Sequence, residues 1–138
     1  MFKKVLIPVD TSVSDDTQHL LQAAKYLTEN WSCERHVITV IPDFGMPIVG
    51  SFFDDNFEAE NRKSVETALA EAIVSSGIEA EQSVLSGKVY DCVIAHASRL
   101  DADLIIIGAH QPELREYLLG SNAARVVRHS NRSVLVLR

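Results

Sequence analysis

"IIIGAHQPELREYLLGSNAARVVRHS", Ile105 to Ser130, decides how the rest of the chain is read. It opens as an apolar strand, breaks at Gly108, crosses a polar segment and resumes at Gly120-Ser121 with a helical pattern. A strand that hands over to a helix in this way is the repeating unit of an α/β domain. Glycine and a helix start are also how a backbone approaches a phosphate, because the Cβ is gone and the free N–H groups and dipole favour an anion. Plain punctuation uses the same residues, and this stretch alone leaves both readings open.

Upstream the same handover recurs. "KVLIPV", Lys4 to Val9, is a continuous apolar run halted by Asp10-Thr11-Ser12, as expected of a strand covered on both faces. From Ser14 onward Leu20, Leu21, Ala24 and Leu27 recur at helical spacing, with Asp15 and Asp16 suited to the first turn. "RHVITVI", Arg35 to Ile41, is a β-branched strand closed by Pro42. Phe57, Asn61, Val65, Ala68, Leu69, Ala72 and Ile73 predict a long amphipathic helix ending near Ser76-Gly77. Ile78, Ala80, Gln82 and Val84 alternate, which suggests a half-exposed strand near a sheet edge. Val89, Val93, Ala97 and Leu100 mark a third helix, with Tyr90 and Ile94 widening its apolar face. "ADLIIIG" is the most hydrophobic strand and is expected at the sheet centre. Ala123, Ala124, Val126 and Val127 place a short helix over Gly120 to His129, and "SVLVLR" makes the last strand. The order β-α-β-α-β-α-β-α-β predicts one α/β domain over residues 1–138, with a mainly parallel sheet and helices on both faces.

The segment "PDFGMPIVGSFFDD", residues 42–55, is loop-like by its glycines and prolines yet apolar through Phe44, Met46, Ile48, Val49, Phe52 and Phe53. It is expected to fold over the core or to mark a partner or ligand surface.

Whole-chain properties narrow the function. The 138 residues, 46% apolar and 23% charged, are those of an ordinary soluble single domain. With 13 basic against 19 acidic residues the formal charge is −6, which disfavours nucleic acid as a partner. The two cysteines, Cys33 and Cys92, are expected as reduced thiols rather than a disulfide. No signal peptide and no stretch of membrane-spanning length is seen, so a cytoplasmic location is expected.

In open parallel sheets ligands bind beyond the C-terminal ends of the strands. Two exits stand out, Pro8-Val9-Asp10-Thr11-Ser12 and Gly108-Ala109-His110-Gln111. Asp10 suits a magnesium ion, a ribose or a base, and equally a turn or cap leading into the first helix. Gly108 permits close approach of a ligand, or serves a turn of positive φ. Gly120-Ser121 opens a helix whose N–H groups suit a phosphate, or Ser121 simply caps it. His110, Arg115 and Arg128 add positive charge or lie solvated. His19, His36, His96 and His129 show no metal-ligand spacing and are assigned structural or surface roles. There is no GxxxxGK[ST], no GxGxxG after the first strand, no GxSxG and no CxxC. Nor does the third strand, ending in Ser86-Gly87, supply the aspartate a phospho-receiver would place there.

With the exit loops side by side, the sequence resembles the universal stress protein family along essentially its whole length. The resemblance is carried by "KVLIPVDTS", "VITVIP", "SGKVYDCVIAHA", "ADLIIIGAH" and "YLLGSNAARVVRHSNRSVLVLR". The form "HQPELREYLLGSNAARVVRHS" is most similar to the F-type, ATP-binding branch. The family's nucleotide motif is Gly-x-x-Gly, nine residues, then Gly-Ser or Gly-Thr. Gly108 matches the first glycine, Gln111 stands at the second, and eight residues, Pro112 to Leu119, separate Gln111 from Gly120-Ser121. The F-type branch departs similarly and is associated with ATP.

The resemblance implies a Rossmann-like domain of the adenine nucleotide alpha hydrolase kind, with five parallel strands in the order 3-2-1-4-5. Asp10 and Gly108 would then face one crevice. By motif position Pro8, Val9, Asp10 and Thr11 would line the nucleotide, with Asp10 near adenine or ribose and Val40 meeting adenine through its backbone. Ile107, Gly108, His110, Gln111 and Arg115 would follow ribose and phosphate, and Gly120, Ser121 and Asn122 would bind phosphates. The family also implies a homodimer through the last strand, residues 133–137, or a tetramer built from it, which agrees with the need to cover an apolar edge strand.

Three functions follow. The first is an ATP-binding, homo-oligomeric stress-response protein with little or no catalysis. The second is a slow magnesium-dependent ATPase, with Asp10 holding the ion and His110 orienting water, although no evident general base or P-loop lysine is present. The third is a nucleotide-free dimeric interaction module, supported by the altered glycine spacing and the apolar 44–53 segment.

Overall fold

The computed structural model describes residues 1–42, 55–109 and 119–138, apart from the side chains of residues 55 and 56. Strands and helices alternate as β1 (Lys4–Pro8), α1 (Ser14–Thr28), β2 (Glu34–Pro42), α2 (Asp55–Ser76), β3 (Glu81–Gly87), α3 (Val89–Leu100), β4 (Leu104–Gly108), α4 (Ser121–His129) and β5 (Ser133–Leu137). The sheet order is β3-β2-β1-β4-β5 and every pairing is parallel, which is the single-domain Rossmann-like architecture expected.

The continuous apolar runs have a simple cause. Alternate side chains of a strand point to opposite faces, and here helices cover both. Val5, Ile7, Leu104 and Ile106 join Leu21 and Ala24 of α1 and Leu69 and Ile73 of α2 on one face. Leu6, Ile105 and Ile107 join Val93 and Ala97 of α3 and Ala123 and Val126 of α4 on the other. β1, not β4, takes the centre of the sheet. Both strands are flanked on either side, and hydrophobicity reports the covered faces rather than rank within the sheet.

Three other expectations are corrected. Phe57 is 51% exposed, because the covered stripe of α2 starts only at the partly buried Val65 and becomes fully buried at Leu69. Val127 is 44% exposed, since Ala123 and Val126 suffice to seat the short α4. Ile78, placed in the third strand, is buried ahead of it, whereas Gln82, within β3, faces solvent. β3 does lie at a sheet edge. Cys33 and Cys92 are free thiols. Among the described residues no helix is long and apolar enough to cross a membrane.

The N-terminal side of the sheet is fastened by Asp103. Its Oδ2 accepts the N–H of Lys3 at 2.6 Å and of Lys4 at 3.0 Å, tying the start of β1 to the turn before β4. Those backbone donors, the Lys3 N–H foremost, hold the Asp103 carboxyl below its ordinary range. A carboxylate depressed in the folded state stabilises fully above its unfolded pKa of about 3.9 and loses that contribution as pH falls through the folded value. In urea titrations run from pH 5 down to roughly pH 2, Asp103→Asn should therefore show a shallower fall in midpoint than the parent protein. Parallel falls would remove Asp103 from acid unfolding.

Candidate functional site

In an open parallel sheet, a gap opens beyond the C-terminal ends of the strands where the strand order reverses. In this sheet the reversal lies between β1 and β4. β1 keeps its ladder to β2 as far as Pro8↔Ile38, whereas its ladder to β4 stops at Leu6↔Ile105. Pro8 accounts for the difference. Main-chain groups of successive strand residues point to opposite sides, and the Val9 N–H donates toward β2, to the Ile38 carbonyl at 2.8 Å. Position 8 therefore faces β4, where the next rung would need an N–H that proline lacks.

The opposite wall obeys the same alternation. The Ala109 N–H donates to the Leu137 carbonyl of β5 at 2.9 Å, so the N–H and C=O of Gly108 face β1, beyond the last rung. Ile38 faces β1, so Val40, two residues on, does too, past the final β1–β2 pair. Main-chain groups of Val40, Gly108 and the turn after Pro8 thus converge on one gap left unbridged by the sheet.

Asp10 stands at the lip of that gap, exposed. Its Oδ1 accepts the Ser12 N–H at 2.9 Å and the Ser12 hydroxyl at 2.6 Å, an Asx turn. Its carbonyl accepts the Val13 N–H at 3.1 Å and the Thr17 hydroxyl at 2.5 Å. Asp10 is therefore a turn residue and not a cap, since the N-cap of α1 is Val13. Oδ2 accepts no hydrogen bond from a described residue. Thr11, next in the turn, is partly exposed.

Gly108 is not at a positive-φ position; among the described residues only Gly77, Gly87 and Asp101 are. A Cβ built on Gly108 would meet Leu20 Cδ2 at 3.7 Å, an ordinary contact. Neither backbone conformation nor the described packing requires glycine there. Gly120 is the N-cap of α4, at φ −61° and ψ 154°, and Ser121 is the first helical residue rather than the cap. Among the described residues no side chain caps the helix, and no acidic residue occupies its first turn, an arrangement that suits an anion. Asn122 is partly buried beside Ser121. Val9 and Ile107 turn their side chains into the two core clusters, so each has only its main chain to offer. His110, Gln111 and Arg115 lie outside the described residues, as do residues 43–54 of the apolar segment.

Among the described residues no group of three His, Cys, Asp or Glu is arranged to hold a metal. A single available carboxylate oxygen fits magnesium only if phosphate oxygens and water complete its shell. The sequence reading missed the Ser12 and Thr17 hydroxyls that fix the Asp10 turn. The signal was present in Asp-Thr-Ser, the composition of an Asx turn. It also passed over Pro8 as the residue that opens the gap.

A profile of the universal stress protein family matches residues 1–138. The chain belongs to that family. Universal stress protein G of Salmonella typhimurium is 31% identical over 143 aligned residues, covering 100% of both chains. Among solved structures, a universal stress protein from Archaeoglobus fulgidus in complex with dAMP superposes with a TM-score of 0.68 at 22% identity, covering 99% of this chain and 98% of its own. A universal stress protein in complex with cAMP superposes with a TM-score of 0.74 at 19% identity, covering 99% and 97%.

Proposed function

We propose that this universal stress protein binds an adenine nucleotide, ATP in the first instance, in the gap between β1 and β4. Bound nucleotide would set its conformation or partner affinity in a stress response, with little or no turnover. The observation that carries this reading is the sheet opening at Pro8, where main-chain groups of Val40 and Gly108 are left facing the same gap. Adenine can be read by such main-chain donors and acceptors, and the uncapped start of α4 suits the phosphates. That two relatives of the same fold were solved with cAMP and dAMP supports the ligand class.

In this reading Pro8, Val9, Asp10, Thr11 and Val40 hold adenine and ribose. Ile107, Gly108, His110, Gln111 and Arg115 follow ribose and phosphate, and Gly120, Ser121 and Asn122 receive the phosphates. Magnesium, where present, travels with the phosphates and meets Asp10 Oδ2. β5 ends the sheet and its residues Val134 to Leu137 are only partly buried, which supports pairing with a second copy in a cytoplasmic dimer, or a tetramer built from it. Light scattering on the eluting protein separates these assemblies from a monomer.

The test is direct. Freshly purified protein is denatured and the released nucleotide is resolved by ion exchange. Near-equimolar ATP is expected. ADP in its place favours slow hydrolysis, and an empty supernatant with no thermal shift on magnesium-ATP favours a nucleotide-free module. Asp10→Ala, which keeps the main-chain carbonyl held by Thr17, should fold normally and bind ATP about tenfold or more weakly. Undiminished affinity removes Asp10 from the site.

A further inference from the structure

The outer edge of β3, unpaired among the described residues, carries a second hollow, of about 260 Å³, lined by Arg62 of α2 and by Cys92, His96 and Arg99 of α3. It lies two strands away from the gap between β1 and β4. His96 is only 8% exposed, and its Nδ1 is buried without a hydrogen-bond partner among the described residues. A buried ring nitrogen left unpaired is unfavourable, and the His96 ring also lines the hollow. Burial first, then the Arg99 guanidinium and His36, hold His96 below its ordinary range, and a neutral imidazole carries both a donor and an acceptor.

The two arginines are placed differently. Arg62 reaches over the strand edge, donating through Nη2 to the Val84 carbonyl and through Nη1 to the Ser86 hydroxyl at 3.3 Å. Its Nε meets Glu66 at 3.6 Å. Arg99 makes no hydrogen bond or ion pair with a described residue. One guanidinium is thus fixed by the sheet edge and the other is uncommitted, with a buried histidine beside them. Glu66 offsets part of the Arg62 charge, so in a chain of net charge −6 it is the Arg99 guanidinium that chiefly gives the hollow its positive potential. Guanidinium forks match the planar or tetrahedral oxygens of carboxylate and phosphate. The volume falls just below the roughly 300–1,000 Å³ of cofactor-sized sites, which favours a compact ligand.

We propose that this hollow is a second ligand site, which takes a compact oxyanion between Arg62, His96 and Arg99. The site stands independently of the nucleotide reading, since it shares no residue with the gap at Pro8.

The full-length chain is titrated with inorganic phosphate, and separately with succinate, at constant ionic strength, while the His96 ring is followed by NMR. His96→Gln assigns the resonance. A saturable shift with at least one anion is expected, and which anion saturates identifies the class as phosphate or carboxylate. Arg99→Gln, an exposed substitution that leaves the fold in place, should weaken that binding about tenfold or more. Ser121→Ala, at the other site, should leave it unchanged. A shift that never saturates, that is equal in Arg99→Gln, or that disappears in Ser121→Ala overturns the proposal.

Discussion

Gly108→Ala is expected to leave the protein at least as stable as the parent while weakening adenine nucleotide by about ten- to a hundredfold, the equivalent of roughly 1–3 kcal/mol. The two halves of that expectation have separate causes. Gly108 lies in β4 and does not have positive φ, so alanine adopts its conformation without strain. The added methyl meets Leu20 at 3.7 Å and displaces nothing described. Restricting the unfolded chain should then raise stability by about 0.4–1 kcal/mol. The main chain of Gly108, however, faces the gap beyond the last β1–β4 rung. A ligand bound in that gap would lie against the Gly108 main chain, and a methyl on its Cα would crowd that ligand from the α1 side, where Leu20 stands 3.7 Å away. Isothermal titration with ATP and a urea midpoint, measured on one preparation, resolve the two effects. Equal affinity in both proteins would leave Gly108 without a ligand-binding role.

How much of this was legible in the sequence depends on which physical signal each feature leaves. The alternation of elements was readable because strands covered on both faces write unbroken apolar runs such as Val5-Leu6-Ile7 and Leu104 to Ile107, and helices write a different period. The position of a strand within the sheet was not. β1 and β4 are equally apolar in their cores, and only hydrogen-bond pairing separates the centre from its neighbour. The site shows the same division. Asp10 and Gly108 were identifiable as strand exits, but their meeting across one gap rests on strand order, which no local pattern encodes. The meaning of Pro8 needed the register as well. A proline at a strand end reads as punctuation until the direction of its missing N–H is known. The hollow at β3 left no local signal, because Arg62, His96 and Arg99 come from two helices on opposite sides of an edge strand.

Truncating Ile105 to alanine should lower the unfolding free energy by about 2–5 kcal/mol, against a total of roughly 5–15 kcal/mol for a domain of this size. Ile105 is fully buried, on the sheet face where α3 and α4 sit, among Leu6, Ile38, Val93 and Val126. It belongs to one of only two strands that flank the switch point, so neither sheet partner can slide in to fill the cavity without breaking the Leu6↔Ile105 rung. Val127→Ala, 44% exposed on α4, is the matched control and should change the urea midpoint little. The cavity also reaches the site, because Ala123 in the same cluster seats the first turn of α4 next to Ser121. If that turn receives phosphate, ligand and core are linked, and ATP at about a hundred times its dissociation constant should restore roughly 2.7 kcal/mol. Ile105→Ala would then be marginal alone and rescued by ATP. A variant equally unstable with and without ATP would show that the α4 start, however well disposed toward an anion, carries no nucleotide.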